Sequence, residues 1–273
     1  MAKRRKRKKK SKAWKYAWRG LLQLIKLPYY LAKGIGKLYK KSSQGIRKRE
    51  VRKKREEMLA QNEEFKVLKA IEGDYDEWLN EVHKSDSKIG IIIGARGTGK
   101  TAFGMKFLEN VYAKKKRKCF AIGFNEDELP SWIDVVEGTA SLKNNSFVLV
   151  DEGGVLFSSR RAMSNANKML SDLILISRHK NISILFISQN SSNLEVNVLR
   201  QADFLALKPS SLLQKEFERR IVRKMYDDVK EDFEELKEDK GLTYIYASKF
   251  RGFVSNPLPS FWKESISKSF KEK

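Results

Sequence analysis

Cysteine and histidine are scarce in this sequence. Cys119 is the only cysteine, and His83 and His179 are the only histidines among 273 residues. A single cysteine excludes an intrachain disulfide, and so few sulfur and imidazole ligands argue against a cysteine or histidine metal site. This composition is typical of a reducing compartment, so we expect a protein of the cytoplasm.

Long apolar runs are lacking as well. The sequence contains no run of about 18 or more apolar residues, which is the length that a membrane-spanning helix needs. We therefore expect no transmembrane span. Residues 3–10 are charged like the start of a signal peptide, but no apolar core and no small-residue cleavage site follow them. A secretory signal is not predicted.

Positive charge, by contrast, is abundant and lies at one end of the chain. The formal net charge is +23 at pH 7. Residues 1–55 hold 23 lysines and arginines with Glu50 as their single acidic residue, whereas the remainder holds 34 basic and 33 acidic residues. The body is thus nearly neutral. The asymmetry indicates an arm for an anionic partner, either nucleic acid or a membrane or capsid surface.

The arm itself has two parts. Residues 1–12 are almost all basic, and we expect them to be disordered until they are neutralised. Aromatic and apolar residues then alternate with cations up to residue 37, and Pro28 interrupts any single helix there. This mixture suits an interfacial membrane segment, docking on a partner protein or clamping of DNA phosphates. Packing against the rest of the chain is a further alternative.

Residues 94–101, between an apolar run and a helical stretch, carry the clearest chemical signal. They follow Ile89–Ile93 and precede the stretch from Ala102 to Ala113. In this pattern, G-x-x-x-x-G-K-[ST], glycines turn backbone N–H groups toward phosphates, the lysine reaches the β- and γ-phosphates, and the hydroxyl holds magnesium. A chance glycine-rich turn is the alternative. The predicted nucleotide-binding residues are Gly94, Ala95, Arg96, Gly97, Thr98, Gly99, Lys100, Thr101 and Ala102.

Two further apolar runs end in polar residues. Residues 147–150 read as a buried strand that ends in Asp151 and Glu152. Asp151 is placed to complete a magnesium shell, and Glu152 to orient an attacking water as a general base. Solvated turn residues are the alternative interpretation. Residues 182–188 form another short strand, and Gln189 at its end is placed to contact the γ-phosphate or the water.

Strands and helices alternate through the body of the chain. This order predicts an α/β fold with right-handed crossovers and a mostly parallel sheet, whose ligand lies at the carboxyl ends of the strands. Residues 46–71 and 211–238 read as long charged helices, and the last strand or hairpin follows residue 242. We divide the chain into an arm (1–55), a connecting helix (56–86), a P-loop domain (87–262) and a charged tail (263–273).

The stretch after Asp151 resembles a known family. The motifs 151–153, 157–160, 177–181 and 186–189 occur in one order, which is similar to that of the FtsK/HerA superfamily of P-loop motors, with its RecA-like fold. The resemblance is closest to the zonula occludens toxin-like branch and to the genome-packaging ATPases of archaeal and other double-jelly-roll viruses. It covers about residues 89–210, and the spacing from Arg178-His179 to Gln189 is its most specific part.

The resemblance implies roles for individual residues. Lys100 and Thr101 would bind the phosphates and magnesium of ATP, Asp151 would support the metal, Glu152 would activate water, and Gln189 would sense the γ-phosphate. An arginine would reach the nucleotide of a neighbouring subunit in a ring, usually a hexamer, around double-stranded DNA. The arginine candidates are Arg178, which lies in the family motif, and Arg160, Arg161 and Arg200. Each could equally form a surface ion pair.

Three functions follow from the resemblance. The first is an ATP-driven translocase that packages double-stranded DNA into a viral capsid, acting in the host-cell cytoplasm or on a virion or membrane surface. The second is a HerA-like motor for DNA repair, segregation or conjugation. The third is a membrane-associated assembly or export ATPase like the toxin-like branch. Filamentous-phage members of that branch carry a membrane span after the ATPase, which this sequence lacks, so the expectation leans toward packaging.

Overall fold

The computed structural model describes residues 46, 48–84, 87–153 and 162–268, with the side chains of 162–167 and 268 excepted. The predictions for the arm before residue 46, for Arg160 and Arg161, and for the end of the tail fall outside these residues. Residues 54–273 form one compact unit, and residues 1–53 form another, of which residues 46 and 48–53 are described and helical. None of the described helices is both long and apolar enough to cross a membrane.

Helices and strands alternate along the described residues, as the sequence predicts. Helix α1 covers residues 48–57. The elements that follow are β1 (Lys66–Gly73), α2 (Tyr75–Lys84), β2 (Ile89–Ile93), α3 (Lys100–Lys115), β3 (Lys118–Ile122), β4 (Ile133–Val135), β5 (Ser146–Asp151), α4 (Ala162–Lys180), β6 (Ser183–Ser188), α5 (Val196–Gln201), β7 (Phe204–Leu207), α6 (Leu212–Phe217), α7 (Arg220–Asp228), α8 (Lys230–Glu235), β8 (Leu242–Ala247), β9 (Phe250–Ser255) and α9 (Glu264–Lys268).

The described strands form a single nine-stranded sheet in the order β1-β9-β8-β7-β2-β6-β5-β3-β4. The six strands from β7 to β4 are parallel. The other three, β8, β9 and β1, extend the sheet in antiparallel pairs. The predicted α/β fold with a mostly parallel sheet, typical of P-loop NTPases, is confirmed.

The parallel strands other than the edge strand β4 are buried on both faces, which explains their near-continuous apolar runs. Every residue of β2 and β6 is buried. Helices α2 and α3 cover one face with a core that includes Trp78 and Phe107. Helices α4 and α7 cover the other face, where Leu173 and Tyr226 lie in the core. The sheet is therefore a central layer covered by helices on both faces.

Strand β6 lies between β2 and β5, and this arrangement brings the three sequence motifs together. Ile93 pairs with Ser188, and Asp151 pairs with Ile187. The three parallel strands therefore end at nearly the same level. The residues that follow them, which carry the phosphate loop, Glu152 and Gln189, meet at the carboxyl edge of the sheet.

The predicted helix over residues 46–71 is confirmed only up to residue 57, and a strand interrupts the predicted connecting helix over 56–86. Helix α1 ends at residue 57, and residues 66–73 are strand β1 at the edge of the sheet. All of its residues but one are exposed, so β1 has no apolar alternation that a sequence could show. Its main chain pairs with β9, which comes about 180 residues later.

The predicted long helix over residues 211–238 is broken into α6, α7 and α8. The break between the first two falls at Glu218 and Arg219, which are extended. Glu218 is buried, and its carboxylate accepts hydrogen bonds from the backbone N–H and the hydroxyl of Ser191. Arg219 donates to the carbonyl oxygens of Ser191 and Leu194. These tertiary contacts outweigh the local helical preference.

Candidate nucleotide-binding site

The phosphate loop joins β2 to α3 and follows the geometry that its glycines allow. Gly97 and Gly99 both have φ 83°, a left-handed conformation that other residues rarely adopt. A side chain at Gly94 would lie 2.5 Å from the Cβ of Lys208, so that position has no room for one. Helix α3 begins at Lys100, with Thr101 and Ala102 in its first turn. Its free N–H groups and its dipole favour an anion at the loop.

Lys100 is buried beneath the loop. Its ammonium Nζ donates to the carbonyl oxygens of Gly94 and Ala95, each at 2.7 Å. Burial lowers the pKa of Lys100 to about 8, against the opposing effect of the carboxylates of Asp151, Glu152 and others nearby. A phosphate oxygen is a stronger acceptor than either carbonyl because it carries charge. The lysine is therefore placed to exchange loop carbonyls for phosphates.

Glu152 follows β5 and is the best-placed general base. Its side chain is buried, with 6% exposed. Its Oε2 accepts a hydrogen bond from the Ser188 hydroxyl at 2.5 Å. Burial raises the pKa of Glu152, and hydrogen bonds from Ser188, the Gln189 backbone and Asn193 act against that rise. A carboxylate in such surroundings can take a proton from water more readily than an exposed one.

Gln189 and Asp151 complete the carboxyl edge. Gln189 follows the end of β6 and is exposed. Its main-chain carbonyl oxygen accepts a hydrogen bond from Gln214 Nε2 of α6 at 2.6 Å. Asp151 is half-buried, and its Oδ1 accepts from the Gly153 N–H at 2.9 Å. The structure thus brings Asp151, Glu152 and Gln189 together with the phosphate loop. Their individual roles stay predictions.

The oxygen donors at this edge fit a magnesium ion that is bound together with phosphates. Within the described residues, no group of three or more His, Cys, Asp and Glu side chains could hold a metal by itself. Thr101 offers a hydroxyl and Asp151 a carboxylate, both of which are hard oxygen ligands. Magnesium usually takes one or two protein ligands and completes its shell with water and substrate phosphates. The donor set matches that mode.

Arg178 and Arg200, the described candidates for a trans-acting arginine, lie at the other edge of the sheet. Arg178 is in the last turn of α4, just before β6 begins, and Arg200 is in the last turn of α5, just before β7 begins. Both side chains are exposed. Neither lies beside the phosphate loop of its own chain. Action on a neighbouring chain's nucleotide stays a prediction.

Sequence reasoning missed three polar residues that support this edge. Ser188 bonds to Glu152, and Glu218 bonds to the loop that follows Gln189. Lys208 follows β7 and is fully buried behind the phosphate loop. A signal for Lys208 exists, because it follows a buried strand as Glu152 and Gln189 do. Glu218 has no such signal, since it lies within a long run of charged residues.

Comparison with solved structures gives distant similarities in fold. The DNA-packaging ATPase B204 from Sulfolobus Turreted Icosahedral Virus is 16% identical, over 64% of this chain and 98% of that chain, with a TM-score of 0.43. The pCW3 conjugation coupling protein TcpA is 10% identical, over 78% and 72%, with a TM-score of 0.44. The cytoplasmic domain of the Thermomonospora curvata Type VII secretion ATPase EccC is 13% identical, over 68% and 28%, with a TM-score of 0.43.

Comparison with sequences gives the family. A search among proteins of curated function finds no match to this chain. The model of the Zonular occludens toxin (Zot) family matches residues 88–248, which is more than half of the chain. That range includes the phosphate loop, Asp151, Glu152 and Gln189, and the match confirms the resemblance to the toxin-like branch. The chain therefore belongs to the Zot family, and it is an ATPase of the P-loop class.

Proposed function

We propose that this protein is an ATP-hydrolysing motor that translocates double-stranded DNA and packages it into a viral capsid. The observation that carries the hydrolytic part is the convergence at one edge. Lys100 lies under the phosphate loop, and Glu152 is held 2.5 Å from Ser188, next to Gln189. A phosphate-binding lysine, a buried carboxylate and an exposed amide in this order are the groups that phosphoryl transfer to water requires.

The chain's own residues divide the work of hydrolysis. The loop N–H groups and Lys100 hold the phosphates, and Lys100 offsets the charge that develops on them. Glu152 accepts a proton from the attacking water, which Gln189 orients. A magnesium ion held by Thr101 and Asp151 would add a further positive charge at the β- and γ-phosphates.

Charge supports the DNA part of the proposal. The 23 lysines and arginines in residues 1–55 are enough for many phosphate contacts. The basic residues 114–118 lie at the amino edge of the sheet, where Lys115 and Lys116 are exposed. Arg117 is already committed to the fold, because it donates to the carbonyl oxygens of Asn145 and Asn181. We propose that residues 115 and 116, with the arm, contact the DNA backbone.

Exposed apolar residues support assembly into a ring, which we propose to be a hexamer. Leu212 is 86% exposed and Leu213 71%, and two more exposed residues follow, Phe217 and Ile221. Large exposed apolar groups so close together are typical of an interaction surface. Helix α6 also contacts Gln189 through Gln214. A second chain seated on α6 would therefore adjoin the nucleotide site, where a trans-acting arginine is needed.

The proposal is tested by ATP turnover with and without duplex DNA. We expect DNA to stimulate turnover of the wild-type chain several-fold, with a stimulation that falls as salt rises. Lys100→Ala should abolish turnover while the thermal unfolding transition remains, because the lysine's partners are loop carbonyls that water can satisfy. Normal basal turnover with no response to DNA would refute the motor. Turnover retained in Lys100→Ala would show that the site is misassigned.

Membership of the Zot family favours one second candidate, a membrane-associated assembly or export ATPase. The aromatic residues Trp14 and Trp18 among cations would suit the bilayer interface. Flotation of the full chain with anionic vesicles, beside gel shifts with duplex DNA, separates the two. If the arm enters lipid, Trp14→Ala with Trp18→Ala should reduce flotation and spare DNA binding.

A HerA-like motor for repair or conjugation would instead bind DNA and lack any affinity for capsid protein.

A further inference from the structure

Lys208 is a buried lysine to which none of the motifs gives a role. It follows β7, and its side chain has 0% exposure. Its Nζ donates to the Asn256 Oδ1 at 2.6 Å and to the Gly241 carbonyl oxygen at 3.0 Å. Both partners flank the β8–β9 hairpin. The lysine therefore connects the antiparallel end of the sheet to the carboxyl end of β7.

The same side chain lies directly behind the phosphate loop. The Lys208 N–H donates to the Ile93 carbonyl oxygen at 2.7 Å, and the next residue, Pro209, accepts from the Ala95 N–H at 3.1 Å. The Lys208 Cβ fills the space that a side chain at Gly94 would need, and its Nζ lies 3.9 Å from the Cβ position of Gly99. Gly99 is the residue immediately before Lys100. The two lysines thus flank the loop at its base.

The groups around Lys208 leave its charge finely balanced. Burial lowers the pKa of Lys208 to about 7, the Asp239 carboxylate acts to raise it, and the Lys100 ammonium acts to lower it. Asp239 is held by the Gly241 N–H and the Ser255 hydroxyl. On the side of α7, the Tyr226 hydroxyl donates to the Lys208 carbonyl oxygen. Burial raises the pKa of this phenol, so it stays neutral.

Both charge states of Lys208 fit the contacts that surround it. A neutral amine has two N–H groups, which are enough for the Gly241 and Asn256 oxygens. An ammonium has a third, and the ring of Phe103, 5.7 Å from Nζ, offers a favourable face for the added charge. A change of protonation therefore needs no rearrangement of the fold.

A triphosphate on the loop brings several negative charges close to this amine. In a buried site such charges interact strongly, since little water screens them. They favour the ammonium over the amine, as any nearby anion does for a lysine. The Lys208 amine takes this proton from solvent, and the new N–H bond is the only bond that forms.

We propose that Lys208 is a positioning residue of the nucleotide site that takes up a proton when a triphosphate binds, so that binding fixes the loop against the β8–β9 hairpin. Lys208 acts through the loop, behind Gly94 and Gly99, rather than on the phosphates. The inference rests on the proposed nucleotide site, and it does not depend on DNA translocation or on hydrolysis.

Calorimetric titration with a non-hydrolysable ATP analogue tests this. The heat of binding at pH 7.5, measured in buffers of different ionisation enthalpy, gives the number of protons taken up. We expect wild-type protein to take up more than Lys208→Met, by a sizeable fraction of one proton. Between pH 7 and 8.5 the Kd of the wild type should rise more steeply than that of the variant, by at most about tenfold per pH unit for one proton.

A second variant removes the proton uptake by keeping Lys208 charged whether or not the analogue is bound. Asn256→Asp places a carboxylate beside Lys208 and so keeps the ammonium in both states. It should bind the analogue with as little extra proton uptake as Lys208→Met. Titration of the γ-phosphate is common to all three proteins and cancels in the difference. A lysine with a merely structural role would change stability and leave proton uptake alone.

Lys106→Met is the matched control. Lys106 is also a buried lysine. It lies in α3, beyond the helix turn that adjoins the phosphate loop, and its Nζ pairs with the Glu109 carboxylate at 2.9 Å. Its loss should not alter proton uptake. Equal uptake by the wild type, Lys208→Met and Asn256→Asp, all with analogue bound, would overturn the proposal; if Lys208→Met does not fold, Asn256→Asp decides alone. Folded wild-type protein that binds no analogue would refute the nucleotide site instead.

Discussion

The two edges of the parallel sheet hold the same kinds of residue in different surroundings. At the carboxyl edge, Lys100, Glu152 and Lys208 are buried, and each has a pKa shifted by that burial. At the amino edge, Arg178 and Arg200 are exposed. A charged group in water costs the fold nothing, whereas a buried one has lost its hydration. The contrast indicates that these three groups at the carboxyl edge have lost hydration that the two arginines keep.

The contrast also separates two ways of taking part in catalysis. Buried groups can act on a nucleotide in their own chain, because a phosphate entering the loop replaces the water that they lost. Exposed arginines at the amino edge would act, under the proposed function, only on the nucleotide of another chain that covers them. If the comparison holds, substitutions at the carboxyl edge act within one chain, and those at the amino edge act only between chains.

The largest effect is expected for Glu152→Gln. An amide has the shape of the carboxylate but cannot accept the proton of the attacking water, so turnover should fall by about 10²- to 10⁴-fold. Binding of ATP should persist, because Lys100 and the loop are unchanged. Single-turnover hydrolysis and nucleotide binding measure the two effects. Glu231→Gln, at an exposed glutamate of α8, is the control. Turnover that survives in Glu152→Gln would mean that another residue is the general base.

Arg178→Ala comes next and tests the amino edge. If this arginine reaches a neighbour's nucleotide, turnover should fall by about 10²- to 10³-fold in the assembled protein, the cost of losing one such charge-stabilising group. Mixing Arg178→Ala with Glu152→Gln chains should then restore part of the activity, since some sites gain both an intact base and an intact arginine. Arg200→Ala serves as the comparison. Wild-type turnover in Arg178→Ala would leave the amino edge without a catalytic role.

The smallest effect is a shift in pH dependence for Ser188→Ala. The Ser188 hydrogen bond lowers the pKa of Glu152, so its loss should raise that pKa further. A base works when deprotonated, so turnover is lost as pH falls through its pKa. The acidic limb should therefore move to higher pH, by about one unit for one charge-assisted bond, while turnover at high pH stays near the wild type.

Ser183→Ala supplies the matched control for that shift. Ser183 is buried in the same strand as Ser188, but at the amino end, where its hydroxyl oxygen accepts from the Lys88 N–H at 3.2 Å. Its loss should leave the pH profile unchanged. An equal shift in both variants would mean that strand β6 as a whole, rather than the bond to Glu152, sets the pH dependence.

The sequence allowed the buried parallel strands to be predicted, together with the polar residues at their carboxyl ends. Each of these strands is a short apolar run, whereas the edge strand β4, in which Ile133 alone is buried, was not predicted. Strand β1 could not be predicted, because its exposed side chains carry no pattern and only pairing with β9 makes it a strand. Ser188 was hidden for another reason. Its role depends on β6 and β5 being neighbours, which no local signal encodes.

The contacts of Lys208 have a consequence for how the protein is made. All three sequence motifs have been synthesised once the chain reaches Gln189, and β7 follows soon after. The acceptor on Asn256 emerges some fifty residues later, beyond the end of the family match at residue 248. A nascent or truncated chain that stops just after Lys208 would hold all three motifs, yet leave the amine behind the loop without its partners Gly241 and Asn256. The site is thus complete only after the β8–β9 hairpin has been made.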